Sequence, residues 1–253
     1  MEGCSMSSSR PPVRNRWLPR APSRTARARV FLIPYSGCGA SMYRQWPQER
    51  DGVEFLPVEL PGHESRFAEP NVTSYAELAA LMVQGLQPAL DVPFGFFGHC
   101  GSALAAYETS AELVRTGMPS PAALFVSSEV APQDGPAGRF LEMDDRELGG
   151  ELETLIRELG GTPSAELIEL YLEVLRADVE INKRYVVPRP LRLPCPITAI
   201  GWTGDDEIPF DTMGGWAACG ETTSVLLEGS HHRFIEAPHD LLDLMGTALG
   251  VRA

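Results

Sequence analysis

The sequence predicts an α/β fold with a mostly parallel central sheet and helices on both of its faces. Short apolar runs rich in β-forming residues alternate along the chain with longer stretches of helical periodicity. This alternation is typical of strand–helix–strand units, in which the crossover helix leaves the two strands parallel. The chain of 253 residues is long enough for one large domain of this class or for two small ones.

The first half of the chain contains three predicted strands and one long predicted helix. The run RVFLIPY at 29–35 is apolar and rich in β-formers, and VEFLPVEL at 53–60 is a second such run that ends at a Pro-Gly pair. Large apolar residues recur every three or four positions through 74–90, which predicts an amphipathic helix. The apolar run at 94–98 is expected to form the third strand.

The second half continues the same alternation. A helix is expected at 102–116, directly after the third strand, and the run AALFVS predicts a fourth strand at 122–127. Two later apolar runs predict strands at 196–202 and 224–227. A predicted helix at 240–249 follows the last strand, so helices and strands alternate over most of the chain.

Residues 138–185 interrupt this rhythm between the fourth and fifth strands. The segment is acidic and helical, and it contains LETLIRELGG followed by AELIELYLEVLRADVEI. Because it is too long for a single crossover, we expect a helical lid over a site at the sheet edge. The alternative is an ordinary pair of crossover helices that only covers the sheet.

The junction between the third strand and the next helix reads GHCGS at 98–102. A strand that ends in glycine, a potential nucleophile and small residues that open a helix form the layout of a nucleophile elbow, usually G-x-S-x-G. Here Cys100 stands in the place of the serine, and Ser102 replaces the last glycine. Together with the lid, the elbow predicts the α/β-hydrolase fold.

A nucleophile needs a general base, and the base needs an acid that orients it. In this fold they follow the order nucleophile, acid, histidine, on loops after successive strands. Cys100 follows the third strand, and candidate acids and bases follow the fifth and sixth. We expect Asp205 as the acid and His231 as the base, with Asp206 and His232 as the alternatives.

An oxyanion hole is the second requirement of acyl-transfer chemistry. One donor is expected to be the backbone N–H of Gly101, which directly follows Cys100. The other is expected from the small, glycine-rich loop at 34–40 after the first strand, and Ser36 is the preferred residue. The alternative reading of this loop is a plain glycine-rich turn.

Charge and cysteine content narrow the possible functions. A net charge of −13 argues against nucleic acid as a partner, because phosphate binding needs a basic surface. Five scattered cysteines without a C-x-x-C pair favour a reducing cytosol over disulfides or a zinc site, so a cytoplasmic location is expected. The sequence contains no run of 18 apolar residues, which is about the length that a membrane span requires. Nothing in the sequence demands an oligomer, so a monomer is expected.

The N-terminal residues differ in composition from the rest. Seven arginines and no acid lie between positions 7 and 29, among many serines and prolines. We therefore expect a basic, disordered arm at 1–27 and a single domain at 28–253. The alternative is that the basic arm docks an acidic partner.

Four stretches together resemble the type II thioesterases that accompany polyketide synthases and nonribosomal peptide synthetases. FLIPYSGCGASMYRQW resembles the family's Pro-Tyr-Ala-Gly-Gly loop, and LPVELPGHESRFAEP resembles its Gln-Leu-Pro-Gly-Arg-Glu-Arg segment, with His63 where arginine is usual. FFGHCGSALAAYE resembles its Phe-Gly-His-Ser-Met-Gly-Ala elbow. The run from ELGGTPSAEL to INKRY resembles its lid and the following helix, so the resemblance covers the chain from Trp17 onward.

The resemblance implies a thioesterase that acts on acyl or aminoacyl groups carried on the phosphopantetheine of acyl or peptidyl carrier proteins. It implies Cys100 as nucleophile, Asp205 as acid and His231 as base, with Ser36 and Gly101 at the oxyanion positions. It also implies a carrier protein as partner and neither a metal nor a bound cofactor.

The cysteine leaves the fate of the acyl group open. A neighbouring imidazole and a helix N-terminus are expected to lower the pKa of Cys100. An acyl-cysteine is still a thioester, so the group could pass to water or to another thiol, an amine or a hydroxyl. Hydrolysis is the expected reaction, an acyltransferase or cyclase is the alternative, and a non-catalytic scaffold that binds carrier proteins is a second alternative.

Overall fold

The computed structural model describes residues 15–251 and places seven strands in one sheet. The strands are β1 (Ala28–Leu32), β2 (Glu49–Arg50), β3 (Val53–Pro57), β4 (Phe94–His99), β5 (Ala123–Ser127), β6 (Ile197–Gly204) and β7 (Thr222–Ser230). Their spatial order is β2-β3-β1-β4-β5-β6-β7. Every neighbouring pair is parallel except β2 and β3, which are antiparallel.

All six predicted strands are present, and the α/β-hydrolase fold is confirmed. No pattern in the sequence indicated β2, because two residues are too few to show any periodicity. The sixth strand is longer than predicted, since β7 extends from Thr222 to Ser230 and alternates exposed with half-buried residues at the sheet edge.

In the described part of the chain, five α-helices flank the sheet. They are α1 (Tyr75–Leu86), α2 (Gly101–Arg115), α3 (Asp145–Glu158), α4 (Ala165–Arg184) and α5 (His239–Ala248). The first begins directly after its N-cap Ser74, whose hydroxyl accepts a hydrogen bond from the Glu77 N–H at 3.1 Å. This cap satisfies one of the free donors at a helix start, which is why the predicted helix begins where it does.

Alternation of side chains along each strand separates the two faces of the core. In β4, Phe94 and Phe96 belong to the cluster that includes α1 and α2, whereas Phe97 belongs to the cluster that includes α3 and α5. Successive side chains of a strand point to opposite faces, so an uninterrupted apolar run is what a strand buried on both faces requires.

The segment 138–185 forms a short turn followed by α3 and α4. A capping box at Asp144 begins α3, and the Ser164 hydroxyl caps α4. The buried leucines of α3, together with Leu175 and Val179 of α4, join the same apolar cluster as Tyr35, Cys38 and Cys100. The insertion therefore packs over the loop that follows β1 and over the start of α2.

The predicted disordered arm is wrong for residues 15–27. Trp17 and Leu18 are buried, and the Arg66 guanidinium lies 4.3 Å from the centre of the Trp17 ring. The Arg20 side chain pairs with the buried carboxylate of Glu54. An arginine whose neighbours suggested a solvated arm thus neutralises a buried acid. Residues 1–14 of the predicted arm lie outside the described residues.

Within residues 15–251, no helix combines the length and the apolar character that crossing a membrane requires.

We expect Trp17→Ala to lower the free energy of unfolding by about 3 kcal/mol, because it removes a large buried side chain. Arg24→Ala, at an exposed position nearby, should change it by less than about 0.5 kcal/mol. Urea unfolding of both variants measures the difference. Two equally small effects would contradict the packing of this segment.

Candidate active site

Cys100 lies in the sharp turn between β4 and α2. Its backbone has φ +53° and ψ −138°, a conformation that side-chain-bearing residues rarely adopt and that is characteristic of functional sites. A Cβ on Gly98 would lie 2.2 Å from the Ser102 carbonyl oxygen, so only glycine permits this turn. The Cys100 N–H donates to the Ser127 carbonyl at 2.8 Å, which fixes the turn to β5.

Ser102, which departs from the usual elbow pattern, holds the turn together. Its hydroxyl accepts from the His99 N–H at 2.9 Å and lies 2.9 Å from the His99 carbonyl oxygen, to which it can donate. A glycine at this position would leave that N–H without the side-chain acceptor. The substitution therefore preserves the elbow rather than disrupting it.

The acid and base candidates separate clearly by geometry. Asp205 Oδ2 lies 3.0 Å from His231 Nδ1 and accepts from the Ser128 hydroxyl at 2.6 Å. Asp206 is exposed, and His232 Nδ1 instead lies 2.6 Å from a carboxylate oxygen of Glu158. The structure thus brings Asp205 and His231 together, whereas Asp206 faces outward and His232, although its ring contacts that of His231, pairs with a different carboxylate.

Asp205 is built to stay ionised. Its Oδ1 accepts from the backbone N–H groups of Glu207 and Ile208 at 2.9 and 3.1 Å. Burial opposes ionisation, but the hydrogen bonds from His231 and Ser128 outweigh it and lower the pKa of Asp205 to about 2. A carboxylate that is fully satisfied in this way can fix the tautomer of His231.

The remaining nitrogen of His231 faces the nucleophile. Since Nδ1 contacts Asp205, Nε2 is the atom left for Cys100, and it lies 3.5 Å from Glu207 Oε2. One ligand-type atom each from Cys100, Glu207 and His231 lies within 4.8 Å of the other two. The candidate nucleophile, the candidate base and an unexpected carboxylate therefore lie close together in one buried place.

The two expected oxyanion residues also come together. A Cβ placed on Gly101 would lie 3.3 Å from the Ser36 hydroxyl and 2.9 Å from the Tyr75 hydroxyl. The loop after β1 thus reaches the first residue of α2. Backbone N–H groups from these two places can face the same carbonyl oxygen, which is the arrangement that an oxyanion requires.

Comparison with known proteins identifies the family. The model described as "Thioesterase domain" matches residues 28–249. The chain belongs to this thioesterase family. It is 30% identical over 244 residues to the gramicidin S biosynthesis protein GrsT of Aneurinibacillus migulanus, which covers 91% of this chain and 93% of that protein.

Solved structures agree with this assignment. The thioesterase is similar to the RedJ thioesterase from the prodiginine biosynthetic pathway in Streptomyces coelicolor, with a TM-score of 0.72 and 31% identity over 88% of this chain and 91% of that one. It is also similar to the type II thioesterase BorB from the borrelidin biosynthetic cluster, with a TM-score of 0.77 and 26% identity over 92% and 97% of the two chains. The protein is thus a thioesterase of the α/β-hydrolase superfamily.

The expectation of a lowered thiol pKa in this thioesterase is wrong. Burial raises the pKa of Cys100 well above its usual value, and Glu129, once it is ionised, raises it further, as do the carboxylates of Glu207 and Asp205. The backbone N–H of Gly101 opposes them without prevailing. Cys100 is therefore a protonated thiol at neutral pH in the closed site.

Two carboxyl groups of the site escaped the sequence analysis. Glu207 stands two positions after Asp205, and the Asp-x-Glu spacing in one loop is the signal that points to it. Glu129 is fully buried just after β5, and burial raises its pKa to about 8. A lone glutamate after a strand forms no motif, so no pattern in the sequence marks Glu129.

The insertion at 138–185 covers the site through contacts between α4 and the loop after β1. The Gly37 N–H donates to an Asp178 carboxylate oxygen on α4 at 2.8 Å, and His63 Nε2 lies 3.1 Å from the same oxygen. A Cβ on Gly37 would lie 3.0 Å from the Leu175 Cβ, so the loop and α4 are in close contact. Helix α4 is thereby tied to the loop that carries Ser36.

A cavity of about 380 Å³ lies between this loop and the insertion. Its wall is formed by apolar side chains of α3 and the start of α4, together with the loop after β1. The lining residues include Cys38, Met42, Leu152, Leu155, Leu159 and Tyr171. Cys100 does not line this cavity, so the nucleophile is closed off from it in this conformation.

We expect Glu207→Gln to lower the pKa of Cys100, because it removes a negative charge that disfavours the thiolate. The pH dependence of Cys100 alkylation by iodoacetamide, followed by peptide mass spectrometry, should shift to lower pH. Asp206→Asn removes an exposed charge from the same loop and should leave the profile in place. An unchanged profile in Glu207→Gln would contradict the electrostatic account.

Proposed function

We propose that this protein acts as a type II thioesterase, which removes acyl or aminoacyl groups from the phosphopantetheine arm of a carrier protein in polyketide or nonribosomal peptide biosynthesis. The observation that carries the proposal is the Asp205–His231 pair beside a buried cysteine in a nucleophile elbow. The relatives support the pathway, since GrsT is named for gramicidin S biosynthesis and BorB is a type II thioesterase.

In the first step Cys100 attacks the thioester carbonyl carbon. His231 Nε2 takes the thiol proton as the new S–C bond forms, and Asp205 stabilises the resulting imidazolium through Nδ1. The N–H of Gly101 and an N–H of the Ser36 loop hold the oxyanion. When the tetrahedral intermediate collapses, the bond to the pantetheine sulfur breaks and that sulfur receives the proton from Nε2.

In the second step water attacks the acyl-cysteine. His231 Nε2 takes a proton from the water, the C–O bond forms, and the same N–H donors hold the oxyanion. The bond to Cys100 then breaks, the thiol is restored with the proton from Nε2, and the free acid leaves. No metal or redox group enters either step.

The acyl group is expected to lie in the cavity beneath α3 and α4. Its volume of about 380 Å³ is in the range of small-molecule sites, which is about 300–1,000 Å³. The apolar wall favours burial of a hydrocarbon chain. Since Cys100 does not line the cavity here, we expect the insertion to move before acylation.

Acyl transfer is the second candidate, and the sulfur itself favours it. An acyl-cysteine retains the reactivity of a thioester, so the first step is nearly balanced and reversible. A second carrier thiol, an amine or a hydroxyl could then replace water. The same triad would serve, and the acceptor alone would decide between hydrolysis and transfer.

We also propose that the protein works as a monomer in the cytoplasm. The thiols of Cys38, Cys100, Cys195 and Cys219 are free, which agrees with a reducing compartment.

We expect a labelled acyl group on a carrier protein to appear as free acid after the enzyme is added, with a transient mass increase on Cys100. Intact mass spectrometry of both proteins follows the label. Cys100→Ala should reduce release to about 1% or less, because the covalent step is lost. Cys100→Ser should retain hydrolysis, since the same base and oxyanion donors can serve a hydroxyl.

Cys195→Ser is the matched control, because this thiol is also buried but belongs neither to the elbow nor to the wall of the cavity. It should release acid at the rate of the native protein. Label that moves from Cys100 to a second thiol or amine would favour transfer. No label on the enzyme and no loss from the carrier would leave only the binding scaffold.

A further inference from the structure

The catalytic cysteine shares its surroundings with an unusual set of donors. Cys100, His231 and Glu207 each offer one sulfur, nitrogen or oxygen atom within 4.8 Å of the other two. The side chains of His231 and Glu207 are 11% and 6% exposed, and Cys100 is 3% exposed. A soft thiolate, an imidazole and a carboxylate are the ligand types that zinc takes in proteins.

Two of these atoms lack a hydrogen-bond partner. Within residues 15–251, neither His231 Nε2 nor Glu207 Oε2 has one, although both are buried. Buried polar atoms normally have a hydrogen-bond partner. A bound ion would explain why these two atoms have none. The two atoms are 3.5 Å apart. This is close to the edge of a zinc tetrahedron with bonds of about 2.0–2.3 Å.

The neighbouring groups orient the donors as metal sites require. His231 Nδ1 contacts Asp205 at 3.0 Å, which leaves the Nε2 lone pair directed at the site. Carboxylate–histidine–zinc arrangements use this contact to fix the tautomer. The backbone N–H of Arg139 donates to Glu207 Oε1 at 3.1 Å, so the other carboxylate oxygen faces the cluster.

Among the residues that the structure describes, Arg139 is the cation that pairs with Glu207. Its Nε lies 3.0 Å from Glu207 Oε2, without hydrogen-bond alignment. Its guanidinium also pairs with Glu151 at 2.6 Å, and the side chain is 40% exposed. Arg139 can therefore keep Glu151 and give way at Oε2 when a divalent cation arrives.

We propose that Cys100 Sγ, His231 Nε2 and Glu207 Oε2 bind one Zn²⁺ ion. The thiol proton passes to solvent as the Zn–S bond forms, and water takes the fourth position. A serine in the elbow would offer a hard hydroxyl that binds zinc weakly, so the site depends on the cysteine.

Zinc in this position would hold the thioesterase inactive. The metal occupies the sulfur lone pair that attacks the thioester and the nitrogen that takes its proton. Binding of the metal does not depend on the proposed function, whereas the inhibition rests on it. The two claims can therefore fail separately.

The test is metal binding by the full-length chain without a polyhistidine tag. Zn²⁺ is titrated against a chromophoric chelator, and Co²⁺ serves as a spectroscopic probe for thiolate ligation. We expect one ion per chain and a thiolate-to-cobalt charge-transfer band. Cys100→Ser should abolish the band, and Glu207→Gln should weaken Zn²⁺ binding about tenfold or more.

Two variants act as controls. Asp206→Asn removes an exposed carboxylate from the same loop, and Cys38→Ser removes a different buried thiol. Both should bind zinc as the native chain does, and circular dichroism checks that every variant is folded. A band that persists in Cys100→Ser, or equal zinc affinity in native protein and Glu207→Gln, would overturn the site.

Discussion

The buried carboxylate of Asp205 is the contact on which the rest of the site depends. It accepts hydrogen bonds from Ser128 after β5, from its own loop after β6, and it holds His231 after β7. One side chain thus fixes the ends of three neighbouring parallel strands. Because the Ser127 carbonyl of β5 also accepts the Cys100 N–H, the proposed base and the proposed nucleophile are both anchored at the same edge of the sheet.

Burial and nearby negative charge determine the protonation state of Cys100 at this edge of the sheet. Burial together with the carboxylates of Glu207 and Asp205 keeps Cys100 protonated. In the proposed mechanism the thiol therefore becomes nucleophilic only as His231 removes its proton. A protonated thiol also resists oxidation and alkylation between turnovers. The cost is that any cation that neutralises the acids, whether a substrate group or a metal, changes the reactivity of the sulfur.

How far the sequence predicted this molecule depended on how local each signal was. Short stretches of sequence were enough to predict the elbow, the apolar strands and the order of Cys100, Asp205 and His231. The roles of Glu207 and Glu129 arise from contacts between loops far apart in the chain. The segment around Trp17 was wrongly predicted to be disordered, because its local composition is rich in arginine. The acid that pairs with Arg20, Glu54, lies far away in the sequence and is brought close only by the fold.

The central claim is that Cys100 is a neutral thiol whose attack requires the Asp205–His231 pair. Rapid-quench measurement of the acyl-Cys100 burst from a loaded carrier protein tests it most directly. Asp205→Asn should slow the burst by about a hundredfold or more, because the base loses its orienting acid. A burst within about twofold of the native rate would mean that a preformed thiolate attacks unaided, and the account would fail.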